Sequence, residues 1–331
     1  MKIAWLLSGI EIVAGARIHG WNMHKYFISK NIDSNIVYCP KGYDKQLLLS
    51  IQEIDKILEQ NFDVLVFQGL RAGKNINYLI EQSKKSGSKI VYIDTDNVPI
   101  VHASKFDAVI TVSEYIKSLF DKKFQKNVHV IFDGYEHDNK LVKHHTNKKK
   151  ITLVFVTNNV YDEFPQIEHL PADVSLKIIG PPKKRVEKYT PNKKMFTDTK
   201  YAFEYIIWNI KSVEKEILSC DVAVIPFPKH HLDHEYLKKK SNNRLILFMS
   251  YGLPTIVSPA PAYLDLLKHA QDGFIAKTSS EWRKYLELLR DNPLLREKIG
   301  NNALKKVKDK YSYKNQAEEY LKIFKKLTES K

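Results

Sequence analysis

Short apolar runs rich in β-branched residues recur along this chain, each followed by a longer amphipathic stretch, and that alternation restricts the possible folds more than any other feature. In the first half the runs fall at residues 3–7, 35–38, 63–67, 89–93, 108–112 and 128–132. Runs this continuous predict strands buried on both faces. Separated by helices, such strands form a parallel, doubly wound sheet with right-handed crossovers. A first unit over residues 1–138 follows. Residues 139–150 are polar and basic with little periodicity, which predicts a surface linker.

The pattern then resumes, with strands expected at 151–157, 175–179, 221–227, 255–258 and 273–276. Helices are expected at 205–219, 242–251, 262–270, 280–290 and 293–310. These make a second unit over 151–311. The last segment, 312–331, carries Ala317, Tyr320, Leu321, Phe324 and Leu327 at helical spacing after Ser312, an N-cap residue type, so a helix packing back on the body is predicted. The expected fold is α/β: two Rossmann-like doubly wound parallel-sheet domains facing across a cleft. Ligands of such sheets bind in the loops beyond the carboxyl ends of the strands.

A chain of 331 residues is long enough for two such cores. With 43% hydrophobic and 27% charged residues it is neither disordered nor fibrous. Two cysteines, Cys39 and Cys220, make no disulfide framework and show no metal-ligand spacing, so a reducing, cytoplasmic compartment is expected. The opening apolar run is too short for a signal peptide or a membrane span. Lys and Arg number 53 against 38 Asp and Glu, a net charge of +15. That excess suits nucleic acid, anionic lipid or a phosphorylated substrate, and it also suits solubility alone. No aromatic RNA-binding strand or recognition-helix pattern accompanies it, so no nucleic-acid partner is expected.

The most informative loop lies in DVAVIPFPKHHLDHEYLKKKSNNRLILFMSYGLP, residues 221–254. Ser241 is the expected N-cap of a short helix, Gly252 suits its left-handed C-terminal position, and Pro254 blocks its continuation. A helix N-terminus at the carboxyl edge of a parallel sheet suits a phosphate, and Lys240 and Arg244 flank it. Arg244 can grip two oxygens at once. The alternative is that Lys238, Lys239, Lys240 and Arg244 form a solvated face.

In the first unit, Gly15 permits close backbone approach to a ligand, and Arg17, His19 and His24 are candidates to face the cleft, although an ordinary turn reads equally well. Asp94 and Asp96 end the fourth run, with His102 shortly after. They are candidate catalytic groups, able to orient sugar hydroxyls or accept a proton, or simply turn residues. His230, His231 and His234 with Asp233 and Glu235 lack metal-site spacing, so no metal is expected there. The dinucleotide fingerprint, the P-loop and the hydrolase nucleophile elbow are all missing from the sequence.

FDAVITVSEYIKSLF followed by VHVIFDGYEHD, then YGLPTIVSPAPAYLDLL, QDGFIA and DNPLLREKIGNNALKKVKDKYSYKNQ, resemble in order the GT-B glycosyltransferases of the group 1 type, which act in bacterial surface-polysaccharide synthesis. The resemblance spans most of the chain. It implies that Lys240 and Arg244 contact a donor diphosphate, with Ser241, Asn242 and Asn243 supporting it, and that Pro261 and Tyr263 join Gly15 and Arg17 in the cleft loops. It also implies metal-independent transfer without a cofactor, and retention of anomeric configuration. The sequence departs from the family pattern at Lys239 and Leu247, where an acidic pair is usual, and at Pro259, Ala260 and Pro261, where glycines are usual.

The function so implied is transfer of a hexosyl group from a nucleotide-diphosphate sugar to a carbohydrate or lipid-linked acceptor, with peripheral contact to an anionic membrane at its inner face. A catalytically inactive nucleotide- or glycan-binding protein and a polyol-phosphate transferase are the alternatives.

Overall fold

A computed structural model of the chain describes residues 1–95, 103–137, 141–148, 150–157, 171, 173–182, 203–227, 235–308 and 310–329. The chain divides into two compact units, Met1–Glu136 with Tyr311–Lys331, and His137–Lys310.

The first unit is built on β1 (Lys2–Leu7), β2 (Asp33–Tyr38), β3 (Val64–Gln68), β4 (Lys89–Asp94), β5 (Ala108–Thr111) and β6 (Val128–Val130). Their order in the sheet is β2-β1-β3-β4-β5-β6, and every pairing is parallel. Burial on both faces explains the continuous apolar runs. Ala4, Leu6, Leu65 and Phe67 point into one core, against Ile54 and Ile57 of α3 (Ile51–Leu58) and Leu79 and Ile80 of α4 (Ile76–Lys85). Ile3, Trp5, Val64 and Val66 point into the other, against Met23 and Phe27 of α2 (Asn22–Ser29). The helical stretch after β1 comes in three pieces: a single turn, α1 (Ala14–Ala16), a π-helical turn at Arg17–Trp21, and α2. The winding reverses between β1 and β3, which puts the ligand crevice of such a sheet at their carboxyl ends.

The second unit holds β7 (Ile151–Val156), β8 (Val174–Gly180), β9 (Phe203–Ile207), β10 (Val222–Ile225), β11 (Thr255–Val257) and β12 (Phe274–Ile275), in the order β12-β11-β10-β7-β8-β9 and again parallel throughout. The reversal here lies between β7 and β10. Two expectations are corrected. The helix expected over 205–219 is instead β9 followed by a short helix, Val213–Leu218. As an edge strand β9 is only half-buried, so its short apolar run lacks the continuous signature of a central strand. The helix expected over 262–270 stops early, at Leu264, and the chain turns back through Ala270 in the left-handed region, φ 60°.

The described part of the expected linker is not a free tether. Lys143 donates its backbone N–H to the Tyr251 carbonyl at 2.8 Å, and the buried Arg296 donates from Nη2 to the Thr146 carbonyl at 2.9 Å. Arg296 also donates to the Leu289 and Arg290 carbonyls, closing the C-terminal end of Ser279–Asp291. One buried guanidinium therefore ties residues 141–148 to the second unit.

The C-terminal helix, Tyr313–Glu329, returns to the first unit, where Ala317, Tyr320, Leu321 and Phe324 join the Trp5 and Phe27 core. Ser312 Oγ accepts the Asn315 N–H at 3.1 Å, the cap expected from the sequence. Tyr320 Oη lies 2.9 Å from His19 Nδ1, and His19 Nε2 lies 2.9 Å from Asp133, so the helix is also held by a buried polar chain. Its start is fixed by close backbone approach at Gly134, where a Cβ would lie 2.6 Å from Tyr313 N and 2.7 Å from Ser312 C. Backbone cannot yield as a flexible side chain can, so Gly134→Ala is expected to cost about 1–3 kcal/mol by overpacking. Chemical denaturation checks this; a variant as stable as the parent would show that the helix start is free to shift.

Candidate functional site

At the carboxyl edge of the second sheet the chain leaves β10 through Phe227 and leaves β11 through Ser258. Ser258 Oγ accepts the Phe227 N–H at 2.9 Å, which fixes the Phe227 ring against Tyr263, stacked at 6.0 Å with an 11° interplanar angle. Tyr263 lies in the one-turn helix Pro261–Leu264, whose first residue is proline, the residue type pre-set for that position. Pro261 and Tyr263 are thus placed at this edge, with Tyr263 fully buried.

The short helix expected here is Asn243–Ser250. Its cap is corrected by one residue: Asn242, not Ser241, is the N-cap, with φ −84° and ψ 7°, while Ser241 Oγ lies 3.5 Å from the Asn243 N–H. Ser and Asn compete for the same backbone donors, and the hydroxyl here closes a local turn instead. Gly252 ends the helix with φ +72°, as expected. Asn242 is fully buried, and among the described residues neither polar atom of its side-chain amide has a hydrogen-bond partner. Buried amides are almost always satisfied, so this one stands out.

Arg244, in the first turn, donates from Nη1 to the Val156 carbonyl at 3.2 Å, and its guanidinium carbon lies 5.7 Å from the Phe227 ring centre. Val156 ends β7 and Phe227 follows β10, so Arg244 bridges the two strands between which the winding reverses. One hydrogen bond leaves a guanidinium further donors for a ligand. The basic run before it divides in two. Lys238 and Lys239 pair with Glu235, at 3.3 and 3.7 Å, as a helix face does. Lys240 is partly buried, and its backbone N–H closes a turn on the Leu237 carbonyl at 3.1 Å.

In the first unit, Ser8 at the end of β1 donates its hydroxyl to Gln68 Oε1 at the end of β3, 3.0 Å away. Gly15 sits beside them: a Cβ there would lie 3.8 Å from Gln68 Nε2 and 3.9 Å from Thr95 Oγ1. Asp94, fully buried at the end of β4, faces Arg71 Nη2 at 3.4 Å. Asp96 and His102 lie outside the described residues, as do His230, His231, Asp233 and His234. Arg17 is corrected. Its guanidinium is buried and taken up by both carboxylate oxygens of Glu136, at 2.7 and 3.1 Å, and by the Glu11 and Ile12 carbonyls. His19 is likewise committed to Asp133 and Tyr320, and His24 Nδ1 lies 3.0 Å from Ser34 Oγ, its pKa lowered by burial and by Lys25. Gln68, Arg71, Phe227 and Ser258 carry no sequence motif. The one available signal was a polar residue closing a buried strand, as Gln68 closes VLVFQ.

Residues 172–322 match the protein-family model described as glycosyl transferase-like. Among curated proteins, an uncharacterized glycosyltransferase of Methanocaldococcus jannaschii is 22% identical over 261 residues, which is 72% of this chain and 64% of that protein, less than two thirds of its length. Three solved structures resemble the whole chain. A glycosyltransferase from Rickettsia africae gives a TM-score of 0.71 at 13% identity, over 100% of this chain and 99% of that one. Anabaena HepE, in complex with UDP and glucose, gives 0.66 at 12%, over 98% and 100%. Sucrose-phosphate synthase from Thermosynechococcus elongatus gives 0.66 at 12%, over 100% of both. At these identities the likeness establishes a shared fold.

Proposed function

We propose that this chain is a GT-B glycosyltransferase that moves a hexosyl group from a nucleoside-diphosphate sugar to a carbohydrate or lipid-linked acceptor in cell-surface polysaccharide synthesis; the fold and the family match over residues 172–322 support this reading. The observation that carries the reading is Arg244, held between the ends of β7 and β10 beside the N-terminus of Asn243–Ser250. A diphosphate there meets a fixed guanidinium, unpaired helix amides and the unpartnered amide of Asn242. Charge builds on the departing diphosphate as the glycosidic bond breaks, and donors aimed at that charge lower the barrier. Lys240 and Arg244 fill this role, so the transfer proceeds without a divalent ion. In the first unit Asp94, backed by Arg71, and Gln68 orient acceptor hydroxyls.

HepE is solved with UDP, and with UDP-glucose, which makes UDP-sugars the first donors to try. Expected is a rise in thermal midpoint with one class among UDP-, GDP-, CDP- and TDP-sugars, since a ligand bound only by the folded state stabilises it by about 2.7 kcal/mol at a hundred times its Kd. No shift with any of the four would sink the donor reading. A shift without sugar transfer to any glycan acceptor would leave a binding protein.

Among the described residues no helix is long and apolar enough to cross a membrane, and no group of three or more His, Cys, Asp or Glu side chains is disposed to hold a metal ion. A cytoplasmic location with contact at the inner membrane face completes the proposal.

A further inference from the structure

Between α2 and the start of the C-terminal helix the first unit holds a cavity of about 460 Å³, lined by Asn22, Lys25, Tyr26, Lys30, Tyr313 and Lys314 together with Ser29 and Glu136. That volume lies within the range of small-molecule sites. Glu136 is the last residue before the chain enters the second unit, and Tyr313 and Lys314 follow closely on its return. The two passages are stitched together, the Tyr135 N–H bonding the Tyr311 carbonyl at 2.8 Å and the Tyr313 N–H bonding the Tyr135 carbonyl at 3.0 Å. The π-helical turn at Arg17–Trp21, a departure often found beside functional sites, leads straight into Asn22.

The carboxylates around the cavity are engaged. Arg17 takes both oxygens of Glu136, at 2.7 and 3.1 Å, and Asn22 Nδ2 donates to one of them at 3.0 Å. Glu318 accepts the Tyr26 hydroxyl at 2.6 Å, and Glu11 is held by Lys25. Even with Lys25 offset by Glu11, Lys30 and Lys314 remain as an excess of positive charge over a lining carboxylate that Arg17 already neutralises. Their ammonium groups lie 5.5 Å from the Tyr26 ring centre and 5.7 Å from the Tyr313 ring centre, and the two rings meet edge to face at 6.4 Å. Burial and the bond to Glu318 push the Tyr26 pKa up to about 12, so the phenol stays neutral beside an anion. Lysines bind phosphate as mobile point charges, and a tyrosine ring offers an apolar surface to a sugar. The cavity exceeds what a bare phosphate fills.

We infer that this cavity binds a phosphorylated monosaccharide, its phosphate held by Lys30 and Lys314 and its ring set against Tyr313 and the Asn22 amide. The site stands apart from the donor reading, because every lining residue belongs to the first unit, and apart from Gln68 and Asp94, which close β3 and β4.

Isothermal titration calorimetry of the full chain with glucose 1-phosphate, glucose 6-phosphate, glucose and inorganic phosphate tests it. One or both sugar phosphates are expected to bind about ten-fold more tightly than glucose or phosphate, and saturating UDP should leave that binding unchanged. Lys30→Glu with Lys314→Glu should weaken it on the order of ten- to a hundred-fold, the loss of two charge-assisted contacts, while Lys30→Arg with Lys314→Arg should keep it. Both lysines are exposed, so neither pair threatens the fold. Heat from neither sugar phosphate overturns the inference, and so does a glutamate pair that binds like the parent. Inorganic phosphate binding as tightly as the sugar phosphates overturns it in favour of a bare anion site, and displacement by UDP overturns it in favour of the donor pocket. These titrations need no donor turnover, so failure here and failure of the donor reading are told apart.

Discussion

Arg244→Ala is expected to lower kcat/KM for sugar transfer about 10²–10³-fold, the usual effect of deleting a donor aimed at developing charge, and to abolish the donor-induced thermal shift. Arg244 is placed for this by its surroundings: the Val156 carbonyl fixes one end of the guanidinium, and the Phe227 ring, itself locked by Ser258 and Tyr263, limits its swing. A pre-positioned fork loses little side-chain entropy when it binds two oxygens. Arg244→Lys keeps the charge but not the fork, so it should fall between the parent and the alanine variant. The alanine change also removes the bond to Val156, so circular dichroism and the ligand-free melting temperature must be followed in parallel. Full turnover and an undiminished thermal shift in Arg244→Ala would remove the basis for placing a diphosphate here. Lys240→Ala, lacking a bidentate contact, should cost less, and the double change should cost less than the sum if both cations act on one phosphate group.

The features that reached the sequence directly are those with a period. β1, β3 and β4 are buried on both faces and so cannot help but read as unbroken apolar runs, and Tyr320 and Phe324 fall four apart because one helix face covers Trp5. β9 was missed for the converse reason: at the sheet edge it is only half-covered, and a half-covered strand of five residues is too short to be told from a helix turn. Lys240 and Arg244 are named as candidates by the chemistry of a helix start, which needs only local signals. Arg17 could not be judged that way. Its partner Glu136 lies 119 residues away, and no local pattern announces that the guanidinium is consumed. Asn242 is the reverse case, a residue named as a neighbour of the cations whose buried, unpartnered amide is a property of tertiary packing alone.

Asp221→Asn is expected to destabilise the second unit by about 3–5 kcal/mol, because it leaves a buried cation without its counter-charge. Asp221, at the foot of β10, is 1% exposed; its Oδ1 faces Lys148 Nζ at 2.9 Å and Lys143 Nζ at 3.3 Å, and its Oδ2 accepts the Thr152 N–H at 3.0 Å. Burial alone would raise its pKa, but the Thr152 N–H and the two ammonium groups outweigh burial and hold it below the ordinary carboxylate value. Burial pushes the Lys143 pKa down against the pull of Asp221. The sign in acid follows. A carboxylate whose folded pKa is depressed contributes stability above its unfolded pKa and loses it as pH falls through the folded one. The parent should therefore lose stability below the ordinary carboxylate range and Asp221→Asn should show a flatter acid limb, so that the two curves draw together as pH falls. Lys148→Ala removes a partner that is 40% exposed and should cost no more than about 1 kcal/mol. Urea unfolding from pH 3 to pH 8 measures all three. Parallel curves for parent and Asp221→Asn over that range would mean that the carboxylate is no better placed in the folded chain than in the unfolded one, and that residues 141–148 are held by Arg296 without its help.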